Sequence, residues 1–229
     1  MRLKKTLIAL ATSGILATSL TGCGTMHAMG NLEEGAWSEF NNMWDRWVES
    51  EGDIAYATTW DRQVQPGVTL DDVEYALEEV ALAMGIKDVG NLPLSSELEA
   101  RGVKTGYIQV KSYCNPATAR KMMDFSMHAS AFLPCRITIA EDADGKMWLY
   151  TLNMDMMIKM GKKQPEGLLP ATYKVRNTIK AMMMQGASGG YALDLEKVSE
   201  MKDQRALELY MEEAWAKYKA EQAKAAAAK

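Results

Sequence analysis

The sequence predicts an α+β protein, because short segments typical of strands are interspersed with longer segments typical of helices. Residues 107–113, 136–140 and 147–151 are rich in β-branched and aromatic residues, as strands are. Residues 70–84 and 172–185 instead place apolar residues at helical spacing. Segments of the two kinds mixed along one chain, with no visible internal repeat, favour this fold class.

The first predicted elements are a helix over residues 32–51 and a strand over residues 54–60. The helix carries an aromatic stripe on one broad face, formed by Trp37, Phe40, Trp44 and Trp47. We expect these rings to pack against the domain. The alternatives are contact with a partner or with a membrane interface, and the acidic character of the helix weakens the membrane alternative.

Local start and stop signals mark the elements that follow. Thr69 is the predicted cap of a helix that Gly85 ends. Asn115-Pro116 begins another helix, and residues 142–145 form a hairpin turn between two strands. The other predicted elements are a strand from about 86, a short helix around 97, helices from about 154 and over 172–185, a break at 186–190, and one long helix from 194 to the end.

The N-terminus resembles the signal peptide of a bacterial lipoprotein. A basic start and an apolar run over residues 6–20 form the pattern of a secretory signal. The run ends in Leu20-Thr21-Gly22-Cys23, which is similar to a lipobox. The resemblance implies that Cys23 carries acyl chains, palmitate among them, and begins the mature chain. The apolar run is too short to cross a bilayer as a mature helix.

These features predict a lipid-anchored protein of the cell envelope that faces the periplasm. Gly24, rather than Asp, after the cysteine favours the outer membrane in a host with two membranes. Loss of residues 1–22 removes three of the 26 Lys and Arg residues and none of the 30 Asp and Glu residues, which changes the formal charge from −4 to −7. An acidic chain without a basic stripe disfavours nucleic-acid binding. The expected partners are the membrane, another envelope protein and a second copy in a homodimer.

Besides the acylated Cys23, the mature chain contains two cysteines, Cys114 and Cys135, in a compartment where disulfides persist. Cys114 ends a predicted strand at a helix N-terminus, where the pKa of a thiol is lowered. Cys135 begins the next strand, so we expect both at one edge of the sheet. Four alternatives stay open: a structural or redox disulfide, two unlinked thiols in or near the core, a metal or haem-like ligand site, and a reactive catalytic thiol.

Met127, His128 and Arg136 are further candidates for ligand binding beside the cysteines. Thiolate, thioether and imidazole ligands suit Cu(I), and methionines are frequent around the cysteines, at positions 122, 123, 127, 154, 156, 157 and 160. Packing in the core is the competing interpretation, because methionine commonly fills gaps there. Copper or haem is therefore one expectation beside that of no cofactor.

Three separated motifs stand out: Cys114-Asn115-Pro116 at a helix start, Leu133-Pro134-Cys135 at a strand start, and Asp144-Gly145 in a hairpin. Together they resemble the DUF302 family. The resemblance covers about residues 54–160 and implies a compact two-layer domain, a mixed or antiparallel sheet layered with helices. It implies no reaction. The aromatic N-terminal helix and the long C-terminal helices depart from a minimal member of the family.

A pentapeptide at residues 186–190, Gly-Ala-Ser-Gly-Gly, fits the G-x-S-x-G pattern of α/β-hydrolases. That nucleophile elbow needs a strand before the serine and a histidine downstream of it. Here a methionine-rich helix precedes Ser188, and His128 lies upstream. We therefore interpret the segment as a flexible connector between helices.

The predicted organisation has four parts: a signal peptide at 1–22, a tether and aromatic helix at 23–52, a DUF302-like domain at 53–160, and a helical extension at 161–229. The expected function is non-enzymatic binding of a small ligand, a metal or another envelope protein, centred on Cys114 and Cys135. The alternatives are a thiol-dependent redox protein that uses the same pair, and a structural component of the envelope.

Overall fold

One antiparallel sheet of five strands, in the order β1-β5-β4-β3-β2, organises the computed structural model, which describes residues 26–228. The strands are β1 (Thr59–Gln63), β2 (Lys87–Leu92), β3 (Ile108–Cys114), β4 (Cys135–Glu141) and β5 (Met147–Leu152). The helices are α1 (Ala36–Glu49), α2 (Ile54–Thr58), α3 (Leu70–Met84), α4 (Leu94–Glu99), α5 (Pro116–Phe125), α6 (Met154–Lys159), α7 (Leu169–Ser188), α8 (Leu195–Glu200) and α9 (Gln204–Ala227). A 3-10 helix, Met127–Phe132, follows α5. The predicted α+β class with helical terminal parts is confirmed.

The core lies between one face of the sheet and the helices α3 and α7. Ile137 and Ile139 of β4 and Leu149 of β5 are fully buried there. Leu77 of α3 and Ile179 of α7 meet them from the helical layer and are fully buried as well. Each such side chain contributes about 1.5–3 kcal/mol through removal from water, so this layer holds the sheet in place.

Short-range signals fix the predicted ends of several elements. The Thr69 hydroxyl accepts a hydrogen bond from the Asp72 N–H, and the Asp72 carboxylate accepts one from the Thr69 N–H, which completes a capping box. Gly85, at φ +76°, ends α3 in the left-handed conformation. The hairpin between β4 and β5 is confirmed as well.

The predicted strand over residues 54–60 is wrong in its first part, where the chain forms α2. The Asp53 carboxylate accepts hydrogen bonds from the N–H groups of Ala55 and Tyr56 at 2.8 and 3.2 Å, and so caps a helical turn. Strand β1 begins only at Thr59 and pairs with β5. The local cap thus overrides the alternating pattern.

Two further predictions near the C-terminus are corrected. Residues 186–188 are not a connector, because α7 continues through them and ends at Gly189, where φ is +68°. The predicted single helix from residue 194 is two helices. The break comes at Met201, and the Asp203 carboxylate accepts a hydrogen bond from the Ala206 N–H at 2.6 Å to start α9.

The aromatic stripe of α1 does not pack against the domain as expected. Trp37, Phe40, Trp44 and Trp47 are all exposed, whereas Ala36 and Glu39 are the buried residues of this helix. The helix therefore attaches to the domain by the opposite side.

Within residues 26–228, none of the helices is long and apolar enough to cross a membrane. The predicted signal peptide and the lipidation site, Cys23, lie outside the described residues.

Candidate functional site

Both cysteines lie at one end of the sheet, as expected, because β3 ends with Cys114 and β4 begins with Cys135. Tyr113 and Cys135 are paired in the register of these strands. The Asn115 side chain then fixes the turn into α5: it accepts a hydrogen bond from the Thr118 N–H at 2.9 Å and donates one to the Gly85 carbonyl at 3.0 Å. The end of β3 is thereby held against the end of α3.

A cavity of about 380 Å³ opens at this end of the sheet, and both cysteines line it. Its walls come from the ends of β3, β4 and β5, from α5 and the 3-10 helix, and from α6 and α7. The lining is mainly apolar and includes Ile86, Val110, Ala119, Met122, Phe132, Leu133, Pro134, Leu152, Met154, Met157 and Val175. Of the lining residues that the structure describes, Arg136 alone carries a charge. The site suits an apolar molecule with at most one anionic group.

The two thiols are free in the structure, with no disulfide between them. Burial raises the pKa of the Cys114 thiol, and burial together with the neighbouring Cys114 raises the pKa of Cys135 to about 11. The expectation that a helix N-terminus would lower the pKa of Cys114 is therefore wrong. Both side chains are neutral thiols at physiological pH, which is unlike the low-pKa cysteines of thiol enzymes.

The structure brings together three of the predicted site residues and leaves two apart. Cys114, Cys135 and Arg136 line the cavity. Met127 and His128 are exposed and are not among its lining residues.

Three lining methionines, Met122, Met154 and Met157, did not stand out in the sequence from the methionines of the core. The spacing of Met154 and Met157 places them on one side of a helix, but this spacing does not distinguish a cavity wall from a core. Within the described part of the chain, no three His, Cys, Asp or Glu side chains cluster as a metal site. The cavity nevertheless collects two thiol and three thioether sulfurs.

A buried charge network adjoins the cavity, and the sequence did not predict it. Arg176 of α7 is almost completely buried. It donates to the Asp155 carboxylate at 2.6 Å and pairs with Glu208 of α9. Lys180 also donates to Asp155, at 2.8 Å. Burial on its own would raise the pKa of Asp155, but the charges of Lys180 and Arg176 outweigh it and hold this pKa below its usual value.

The serine of the G-x-S-x-G pattern has a structural role. Ser188 is fully buried near the C-terminal end of α7, where its hydroxyl donates to the Gln185 carbonyl and accepts from the N–H groups of Tyr191 and Ala192. These bonds satisfy the end of the helix. They leave no role for this serine as a nucleophile.

Comparison with solved structures finds a partial match. A crystal structure of an uncharacterized conserved DUF302 protein from Bacillus stearothermophilus is 16% identical to the chain and has a TM-score of 0.47. The match covers 56% of this chain and 97% of the other. No curated protein matches the chain in sequence.

The family model for the domain of unknown function DUF302 matches residues 61–186. This match extends beyond the predicted limit at residue 160 and includes most of α7, the helix that covers the sheet. Because it spans more than half of the sequence, the chain belongs to the DUF302 family.

Proposed function

We propose that this protein is a lipid-anchored component of the cell envelope whose DUF302 domain binds a small, mainly apolar ligand in the cavity beside Cys114 and Cys135. The observation that carries the proposal is the cavity itself. Its volume, about 380 Å³, lies within the range of small-molecule sites, and its mixture of apolar walls and few polar groups is typical of them.

The lining favours binding over catalysis. The described lining residues include no carboxylate and no imidazole, the usual general acids and bases of enzymes. The thiols are neutral, since burial raises the pKa of both. Within residues 26–228, Arg136 forms no ion pair with an acidic side chain. Its guanidinium is available to an anionic group on the ligand.

Two fluorescent probes test the ligand class: the anionic anilinonaphthalene sulfonate and the neutral N-phenyl-1-naphthylamine. Filling the cavity with Thr138→Trp weakens binding of both probes about tenfold or more, because their apolar contact area is lost. Arg136→Gln weakens binding of the anionic probe alone, by several-fold.

Arg120→Gln is the matched control, since Arg120 is an exposed arginine of α5 outside the cavity lining. This substitution should leave the binding of both probes unchanged. Circular dichroism and urea unfolding establish that each variant is folded. Equal binding of both probes by the wild type and a folded Thr138→Trp variant would remove the cavity as the ligand site.

The proposed anchor rests on the lipobox-like end at Cys23 and has a separate test. Metabolic labelling with palmitate followed by mass spectrometry of the N-terminal peptide should find acyl chains on Cys23 and none in Cys23→Ala. An unmodified Cys23 in the processed wild type would exclude lipid anchoring, whatever the cavity binds.

Cu(I) is the second candidate ligand, because the thioethers of Met122, Met154 and Met157 line the same cavity as the two thiols. Sulfur ligands of this kind select Cu(I). Binding must displace thiol protons, so the affinity should rise with pH.

Competition with bathocuproine disulfonate measures this affinity. Loss of binding in Cys114→Ser/Cys135→Ser and weakening in Met154→Leu/Met157→Leu, with no change in the exposed Met127→Leu control, would support a copper site. Equal affinity in all four proteins would remove it. Thiol titration of the air-exposed protein distinguishes the redox alternative, since two free thiols exclude an oxidised pair.

A further inference from the structure

The N-terminal helix α1 presents a row of aromatic side chains to solvent. Trp37, Phe40, Trp44 and Trp47 form this row, which we call the aromatic face. Trp37 is 58% exposed and Trp44 is 49% exposed. Exposed apolar patches of this kind mark interaction sites in soluble domains.

The rings of the aromatic face contact one another along the helix. Ring centroids are 5.9 Å apart for Trp37 and Phe40, 6.3 Å for Phe40 and Trp44, and 5.2 Å for Trp44 and Trp47. The face is therefore one continuous surface rather than four separate side chains.

The opposite side of α1 is fixed to the domain. Glu39 is buried and pairs with Lys159 of α6 at 3.5 Å. Arg46 donates to the Tyr56 carbonyl at 2.8 Å and pairs with Asp61 of β1 at 3.1 Å. The aromatic face thus has a fixed orientation relative to the sheet and the cavity.

Charge and composition indicate what the aromatic face contacts. It contains no charged side chain, and the acidic residue Asp45 lies along its flank at the helical period. Acidic flanks disfavour a strongly anionic surface. Tryptophan side chains prefer the region of the lipid headgroups, where one part of the indole is apolar and its N–H is hydrated.

The position of α1 in the chain indicates which surface the aromatic face contacts. Only twelve residues separate Cys23 from Ala36, and a chain of that length reaches at most about 45 Å. Residues 26–30 are helical, which shortens the reach further. With Cys23 acylated, as in the proposed function, α1 stays beside the bilayer surface.

We infer that α1 lies flat on a bilayer of zwitterionic lipids and inserts the aromatic face between the headgroups. This inference rests on the proposed anchor only for the location of the helix, because the aromatic face is a property of the folded chain itself. The contact fixes how the domain is turned on the membrane, which an acyl anchor followed by a tether does not do.

The test uses the chain from Gly24 onward, which contains every residue that the structure describes, and vesicles of phosphatidylcholine. The wild type should sediment with the vesicles, and Trp37→Ser/Trp44→Ser should lower the partition coefficient by about tenfold or more, because the apolar area that enters the bilayer is reduced. The matched control is Leu82→Ser/Tyr191→Ser, which removes two side chains that are 84% and 77% exposed elsewhere. It should partition like the wild type.

Each outcome decides the inference. No sedimentation of the wild type, or equal partition of the Trp37→Ser/Trp44→Ser variant, overturns it. Self-association in analytical ultracentrifugation also overturns it, if this variant abolishes the association and vesicle binding is absent. A second copy of the chain then covers the aromatic face. Tighter binding to vesicles rich in phosphatidylglycerol than to phosphatidylcholine also contradicts the inference, because the preferred surface is then anionic and not zwitterionic. Palmitate labelling reports the anchor independently, so a missing acyl group and a failed partition are distinguishable.

Discussion

Cys114 shows how position and burial compete at a single residue, because it lies at the N-terminus of α5 and is partly buried. The N-terminus of a helix stabilises a nearby negative charge by about 0.3–1 kcal/mol, which is less than one pKa unit, since one unit equals about 1.4 kcal/mol. Burial acts in the opposite direction and is the largest influence on both thiols. It raises the pKa of Cys135 to about 11. The thiols are therefore suited to contact a ligand as neutral groups.

The rate of alkylation by iodoacetamide should be lower at the more deeply buried thiol. At pH 8 we expect Cys114 to react faster than Cys135, because only the thiolate reacts and Cys135 is the more deeply buried thiol. The rate at Cys135 should increase about tenfold per pH unit until its pKa of about 11 is approached. Peptide mass spectrometry at several pH values measures both rates.

Unfolding in urea provides the control, since it should make the two cysteines react alike. A rate at Cys135 that levels off near pH 7 in the folded protein would contradict the prediction. It would instead indicate an activated thiol.

Helix α7 shows why some elements were predictable and others were not. The starts of α3 and α5 and the β4–β5 hairpin depend on residues within four positions of each other, and all three were predicted. The continuation of α7 through Gly186 depends on distant residues. A Cβ atom at position 186 would lie 2.9 Å from Leu149 Cδ1 and 3.1 Å from Leu77 Cδ2. Glycine is here a packing requirement, which the local sequence does not reveal.

Substitution of Gly186 should destabilise the protein although the position is helical. Alanine gains about 1 kcal/mol of helix propensity over glycine, but overpacking of a full core costs about 1–3 kcal/mol. Leu77 and Leu149 are fully buried and have little room to move. We expect Gly186→Ala to lower the free energy of unfolding by about 1 kcal/mol and Gly186→Val by about 3 kcal/mol.

Urea unfolding measures both values. Gly167→Ala is the control, because nothing lies within 4 Å of a Cβ there, and it should leave the stability unchanged. A Gly186→Ala variant more stable than the wild type would show that the leucines move aside.

At the scale of the whole molecule, the Arg176 network joins α6, α7 and α9 through charges. Arg176 contacts Asp155 and Glu208, which are more than fifty residues apart in the sequence. Removal of one partner from a buried pair typically costs about 3–5 kcal/mol, because the other charge stays buried. The C-terminal helix is thus part of the folded unit beside the cavity.

Acid should weaken the protein through Asp155. Its pKa in the folded state is below the usual value of an aspartate, so the unfolded chain binds the proton first as the pH falls. The stabilising contribution of Asp155 is complete above about pH 4 and is lost as the pH falls through the folded-state pKa. Asp155→Asn should lower the stability at pH 7 by about 3 kcal/mol and reduce the loss between pH 4 and pH 2.

Urea unfolding at a series of pH values tests this dependence. Asp144→Asn is the control, since Asp144 is an exposed hairpin residue whose ion pair with Lys146 is exposed as well, and it should unfold like the wild type at neutral pH. The same acid slope in Asp155→Asn as in the wild type would assign the acid sensitivity to other carboxylates.

The candidate site was predictable only in part because, like the end of α7, it depends on residues that are distant in the sequence. Neighbouring strand ends placed Cys114 and Cys135 together, because consecutive antiparallel strands fix such positions. The cavity is lined by residues from Thr59 to Val175, and only the tertiary fold brings these together. Met127 and His128 were candidates by residue type, yet the 3-10 helix exposes both.

That same 3-10 helix, Met127–Phe132, contains no buried residue, although it is followed directly by Leu133 and Pro134 of the cavity wall. The sequence of this 3-10 helix therefore contributes little to the core of the domain. Substitutions there can change which molecules the cavity admits at almost no cost to folding. Ligand preference can accordingly evolve at this part of the wall without loss of stability, whereas Ile86, Tyr113 and Met154 belong to both the cavity wall and the core.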